Sequence, residues 1–231
     1  MRILPLISAV ITAVLPVITQ KTGLSKKYGL KLKMICAVLY LITGILSAFS
    51  FGAVTEYSVM ILSGLVFGIL GDFFLEYKSK KLFPLGAVFF ALGHIVYSVT
   101  FLFIGEYSAA SNIWAVIGMT VAVTAMIFAF AKKRLHLKGK KKMIIIYAPV
   151  LIFSFACAVV KGALALSAGS FAFGLCLIWG GSMFFASDIM IGVGKGGVKR
   201  PPFLHYAVSY TYFAAQALFA LSILFQCEVK V

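Results

Sequence analysis

GLVFGILGDFFLEYKSKKLFPLGAVFFALGHIVY, residues Gly64–Tyr97, is the stretch on which the fold turns. Two apolar runs flank a short basic segment. The first carries one carboxylate, Asp72, near its end, and the second carries His94 and Tyr97. Each run has the length of a membrane-crossing helix, about 20 residues. Ionisable groups inside such runs are costly, so they read as functional by default. A second stretch, Gly180–Ala217, echoes the first: GGSMFFASDIMIGVGKGGVKRPPFLHYAVSYTYFAAQA. It holds Asp188, the only other aspartate of the chain.

The rest of the sequence reads as scaffold for these two stretches. Of its 231 residues, 62% are hydrophobic and 12% are charged, and the mean hydropathy is +1.07. Soluble domains run nearer about 45–50% apolar and about 25% charged. The fold class is therefore all-α, a polytopic membrane protein forming one transmembrane domain over 1–231. The polar segments are too short to form a soluble domain of their own. The net charge of +15 does not call for nucleic acid, because lysine and arginine gather in the cytoplasmic loops of membrane proteins and face anionic lipid. Cys36, Cys157, Cys176 and Cys227 form no CxxC pair and read as small apolar residues. Arg2–Thr19 lacks an A-x-A cleavage pattern and reads as a retained span.

Eight runs qualify as spans: Ile3–Thr19, Leu32–Phe51, Ser58–Glu76, Leu82–Ile104, Asn112–Ala131, Met143–Val160, Gly169–Ile191 and Phe203–Phe225. Pro84 and Pro201-Pro202 fall at helix starts, where a missing N–H is tolerated. Pro5, Pro16 and Pro149 fall inside runs and predict kinks. Eighteen of the 21 basic residues lie in four alternate loops, between spans 1 and 2, 3 and 4, 5 and 6, and 7 and 8. Lys33 is counted in the first of these. Only Arg2, Lys161 and Lys230 lie elsewhere. The positive-inside rule then places both termini outside and the basic loops in the cytoplasm, with the chain a multi-pass protein of the cell membrane. Spans 1–4 and 5–8 show the same order of loop charge. Asp72 and Asp188 are followed at similar distances by Pro84 and Pro201. That pattern suggests a four-plus-four parallel repeat.

Asp72 and Asp188 come out roughly 5–8 Å beneath the cytoplasmic boundary at 1.5 Å per residue. Two carboxylates at one depth on corresponding helices are expected to converge on one cavity. There like charges cannot easily both ionise, leaving an acid beside a base. His94 is expected deeper, roughly 18 Å from the cytoplasmic side. His94 and Tyr97 share a face at i, i+3, and Tyr212 and Gln216 pair at i, i+4. All four are candidates to bind substrate or to orient a carboxylate. His205 begins span 8 near the depth of Asp188, but no spacing such as HExxH supports a metal. There is no GxSxG elbow, Walker loop or dinucleotide fingerprint, and no cofactor is expected. Gly192–Gly197 reads as a flexible glycine-rich loop.

Four segments together resemble a known family. They are G-L-V-F-x-x-x-G-D-x-x-L at Gly64–Leu75, F-x-x-G-H-x-x-Y at Phe90–Tyr97, F-F-A-S-D at Phe184–Asp188 and Y-x-x-x-Q at Tyr212–Gln216. Their order and spacing, with eight spans, resemble the YhhN/lysoplasmalogenase family. Gly68 stands where that family often has serine, and Lys33-Met34 where it has Lys-Pro. The resemblance implies hydrolysis of the vinyl ether bond of lysoplasmalogens to a fatty aldehyde and a glycerophospho-base. Asp72 and Asp188 would be the acid and base, in either assignment. The partners expected are a lysophospholipid substrate and membrane lipids. From the charge map, the lipid phosphate is expected near Lys78, Lys80, Lys81, Lys199 or Arg200. Two other classes remain open: a proton-coupled lipid or small-solute transporter, and a lipid-binding protein without activity.

Overall fold

The computed structural model describes residues 2–76, 82–134, 141–195 and 202–226. Among them are eight α-helices: α1 (Ile3–Lys21), α2 (Leu24–Phe51), α3 (Glu56–Glu76), α4 (Phe83–Phe103), α5 (Ile113–Arg134), α6 (Lys141–Ser167), α7 (Phe171–Lys195) and α8 (Pro202–Phe225). A 3₁₀ turn, Ala109–Asn112, precedes α5. All eight helices contain a segment long and apolar enough to cross a membrane. In hydrocarbon only a helix or a closed barrel satisfies every backbone group, so such sequence is driven to helix.

Several boundaries differ from the hydropathy reading. α2 begins at Leu24, so Lys31 and Lys33 sit on its first turns and the link from α1 is reduced to Thr22-Gly23. Gly23, at φ +74°, supplies the left-handed residue that a tight link needs. α6 runs seven residues beyond Val160 and takes Lys161 inside the helix. α7 is helical through Lys195, so the first part of the expected glycine-rich loop is helix. Hydropathy marks where lipid ends, and lysine is a good helix former on either side of that line. Pro16 and Pro149 are interior to α1 and α6. Pro5 falls in the first turn of α1, where it interrupts no intrahelical bond and gives no cause for a kink.

α2, α3, α4, α6, α7 and α8 close a ring, each packing on the next and α8 returning to α2. α1 lies outside the ring against α2 and α8, and α5 lies outside it against α6 and the 3₁₀ turn. Successive helices pair in the same order in both halves, and α2 meets α8 as α6 meets α4. The match is incomplete. α1 packs along α8, whereas α5 makes no corresponding contact with α4 among the described residues. The core inside the ring is aromatic and small: Tyr40, Tyr97, Phe101, Phe184 and Phe219, with alanines between them. α3 and α4 pack closely because α3 offers glycine there. A methyl group at Gly64 would run into the Tyr97 ring, so a small residue is required there.

Candidate active site

Asp72 faces the ring interior from α3 and is 1% exposed. A buried carboxylate needs donors, and two neighbouring helices supply them. The Tyr212 hydroxyl, from α8, donates to Asp72 Oδ2 at 2.8 Å. Lys33 Nζ, from α2, stands 3.2 Å from Asp72 Oδ1 and 3.7 Å from Glu76 Oε2. The chain continues inward. Gln216 Nε2 donates to the Tyr212 oxygen at 3.3 Å, and the Tyr97 hydroxyl donates to Gln216 Oε1 at 2.8 Å. Tyr97 comes from α4, so four helices converge on one carboxylate.

Gly68 lies one helical turn from Asp72 and opens onto the same cluster. A methyl group there would come 2.6 Å from Gln216 Nε2 and 3.0 Å from the Tyr40 hydroxyl. The tyrosines and the glutamine thus occupy the room that a side chain at position 68 would take. A cleft of about 220 Å³ between α1, α2, α8 and the end of α3 leads to this cluster. Lys33, Glu76, Gln20 and Ser209 line it. Lys33 is a quarter exposed at the cleft while its partner Asp72 is buried.

Asp188, on α7, has its own set of partners. The Tyr147 hydroxyl, from α6, donates to Asp188 Oδ2 at 2.6 Å. His94 Nε2, from α4, is 3.3 Å from the same oxygen. The His94 ring packs on Phe184 with centroids 4.5 Å apart, and on Tyr147 at 5.9 Å. A gap of about 10 Å³ borders His94 and Phe184, roughly the volume that admits one water.

The expected difference in depth between His94 and Asp188 does not hold. α7 continues seven residues past Asp188, roughly 10 Å of helix, so Asp188 lies farther from the helix end than hydropathy placed it. α4 and α7 also run in opposite directions, and each side chain leans toward its own helix N-terminus, which brings the two together. Convergence of the carboxylates takes a different form from the one expected. They share no partner among the described residues; contact runs from Asp72 through Tyr212 to Phe184, His94 and Asp188. The Tyr212 and Phe184 rings meet edge to face at 5.5 Å.

All six core candidates, Asp72, Asp188, His94, Tyr97, Tyr212 and Gln216, thus belong to two adjoining clusters. His94 and Tyr97 share a face of α4 yet divide between them. Lys78, Lys80, Lys81, Lys199 and Arg200 lie outside the described residues, as does the side chain of His205. Tyr147 was not singled out from sequence. Lys33 was counted as a loop lysine and noted in Lys33-Met34, where the family has Lys-Pro, but was given no role at the site; its signal was that it sits at the start of an apolar span. Tyr147 carried none beyond being a polar-tipped aromatic in a span.

The model of the YhhN family matches residues 27–223. The chain belongs to the YhhN family. No curated protein and no solved structure matches it. The family match begins within α2 and ends within α8, so it takes in every helix of the ring and both clusters.

Proposed function

We propose that this YhhN-family protein is a hydrolase of the cell membrane that cleaves the vinyl ether bond of lysoplasmalogens. Both termini would lie outside and the basic loops in the cytoplasm. The observation that carries the reading is the pair of aspartates within apolar helices, in unlike settings. Asp72 is paired with an ammonium group, and Asp188 is held by a phenol and an imidazole.

A vinyl ether hydrolyses by protonation on carbon, which gives an oxocarbenium ion. Water adds to the carbon bearing the oxygen, and the hemiacetal collapses to aldehyde and alcohol. The net reaction consumes one water, and the proton given to carbon is returned when water is deprotonated. The reaction needs one acid and one base, as glycoside cleavage does. Asp72, paired with Lys33, is suited to receive the proton from water and to stabilise the cation. The Asp188–His94 pair is suited to hold the proton delivered to carbon. The 220 Å³ cleft at Lys33 is the entrance for the phosphate head, with Lys78, Lys80, Lys81, Lys199 and Arg200 as further cations on the same side. Tyr97, Tyr212 and Gln216 hold Asp72 in place.

The test is aldehyde release by purified protein from lysoplasmenylethanolamine in detergent, with Asp72→Asn and Asp188→Asn alongside. Release by the wild type alone supports the reading. A folded wild type that releases none removes it. The matched pairing of the two halves favours one other reading, proton-coupled transport, which predicts flux driven by a pH gradient and no product.

A further inference from the structure

Lys161 belongs to neither carboxylate cluster. It is fully buried and lies at the other end of the bundle, beside the start of α3 and the end of α4. Tyr57, its neighbour on α3, is fifteen residues from Asp72, roughly 22 Å along the helix. Lys161 Nζ donates to the carbonyls of Ile104 and Glu106, at 2.9 Å and 2.6 Å. An ammonium has three N–H groups, so one remains.

A cavity of about 230 Å³ opens on Lys161. Gln226 lines it too and is 7% exposed. Its Oε1 accepts from the Thr55 hydroxyl at 2.6 Å, while its buried Nε2 has no partner among the described residues. Buried donors are almost always satisfied. Glu56 and Glu106, both exposed, border the same cavity, and neither is within ion-pair distance of Lys161 among the described residues. The buried part of the cavity therefore holds unused donors, and its rim holds carboxylates. The rings of Tyr57 and Phe173, 5.5 Å apart, form one wall.

We propose that this cavity binds a small zwitterion in which an oxyanion is joined to an ammonium, as in an ethanolamine phosphate group. The oxyanion takes the free N–H of Lys161 and the Gln226 amide. The ammonium meets Glu56 and Glu106 at the rim, because the Tyr57 ring already faces Lys161 Nζ at 5.9 Å. A bare anion is opposed by the two carboxylates and a bare cation by Lys161. The volume is below the roughly 300–1,000 Å³ of pockets for drug-sized ligands, so it suits a head group and not a whole lipid. The site shares no residue with Asp72 or Asp188 and does not rest on the hydrolase reading.

The experiment is calorimetric titration of the full chain in lipid-free detergent with glycerophosphoethanolamine, glycerol phosphate and ethanolamine. The zwitterion should bind saturably, with each half-molecule at least about tenfold weaker, the effect of one lost hydrogen bond to a charged group. Gln226→Leu should weaken the zwitterion about tenfold, while the lost acceptor of the Thr55 hydroxyl lowers the thermal unfolding of the free protein only slightly. Glu106→Gln should narrow the gap between glycerol phosphate and the zwitterion. Lys33→Met, at the opposite cleft, should leave this binding unchanged. Lys161→Met also releases the turn after α4, so Gln226→Leu and Glu106→Gln carry the test.

Nanodiscs separate the two sources of the ligand. If a bilayer head group occupies the cavity, discs containing phosphatidylethanolamine block the free probe and phosphatidylglycerol discs do not. If the ligand is a free compound, both discs bind it alike. The proposal is overturned if the wild type does not bind the zwitterion, if the half-molecules bind equally well, or if Gln226→Leu and Glu106→Gln both bind as the wild type does.

Discussion

The Asp72 cluster draws its groups from α2, α3, α4 and α8, and the Asp188 cluster draws its groups from α6, α7 and α4. α2 packs on α3 in one half as α6 packs on α7 in the other; α8 also packs on α3, whereas α4 and α7 have no close backbone approach among the described residues and meet through side chains. The partners differ too. Where α2 brings the ammonium of Lys33 to Asp72, α6 brings the neutral phenol of Tyr147 to Asp188. Where α8 brings Tyr212, backed by Gln216 and Tyr97, α4 brings His94. One arrangement of helices thus holds two carboxylates in different electrostatic surroundings. Such separation assigns acid and base roles in enzymes that use paired carboxyl groups.

The largest effects should come from the carboxylates themselves. Asp72→Asn and Asp188→Asn are each expected to lower aldehyde release by roughly 10²–10⁴-fold, the usual contribution of a general acid or base.

Next comes the ion pair. Lys33→Met leaves the buried Asp72 carboxyl without its cation. Breaking a fully buried pair costs about 3–5 kcal/mol. Lys33 is a quarter exposed, so a loss of about 1–3 kcal/mol is expected, read by thermal unfolding in detergent. Adding Asp72→Asn should return most of that stability. An additive double variant would show that the pair is not coupled.

Tyr147→Phe should cost less, about 1 kcal/mol, because Asp188 keeps His94 after one hydrogen bond is lost. Tyr212→Phe should cost more than Tyr147→Phe, since it removes a donor from Asp72 and an acceptor from Gln216 together. Equal losses would mean that the Tyr97–Gln216–Tyr212 chain is not cooperative. The smallest effect should come from α5, outside the ring. Met126, 64% exposed, should change stability by under about 0.5 kcal/mol on replacement by alanine. A larger loss would place α5 within the packed structure.

The helices were legible because lipid leaves the backbone few choices. Eight apolar runs gave eight helices, with Pro84 and Pro202 at their starts. The ends of α2, α6 and α7 were not legible, because helix persists where apolar sequence stops. Lys161 shows the limit. Its charge read as the edge of a span, but two carbonyls at the end of α4 hold it inside. Asp72 and Asp188 stood out because a carboxylate in an apolar run is costly wherever it points. Their partners did not, because nothing local in Tyr147 or Tyr212 says which distant helix it will face.

Tyr212 follows Asp72 by 140 residues. At about 5–20 residues per second of synthesis, Asp72 waits roughly 7–28 s for the helix that closes the ring over it. Until α8 is made, α2 and α7 have no neighbour to join them. Insertion of the first seven helices is thus a temporary state, open along one seam, with a carboxylate facing that seam. The last helix acts as a keystone. Slowing translation anywhere between α3 and α8 should prolong that exposure by the length of the pause, whereas an equal pause within α1 should leave it unchanged.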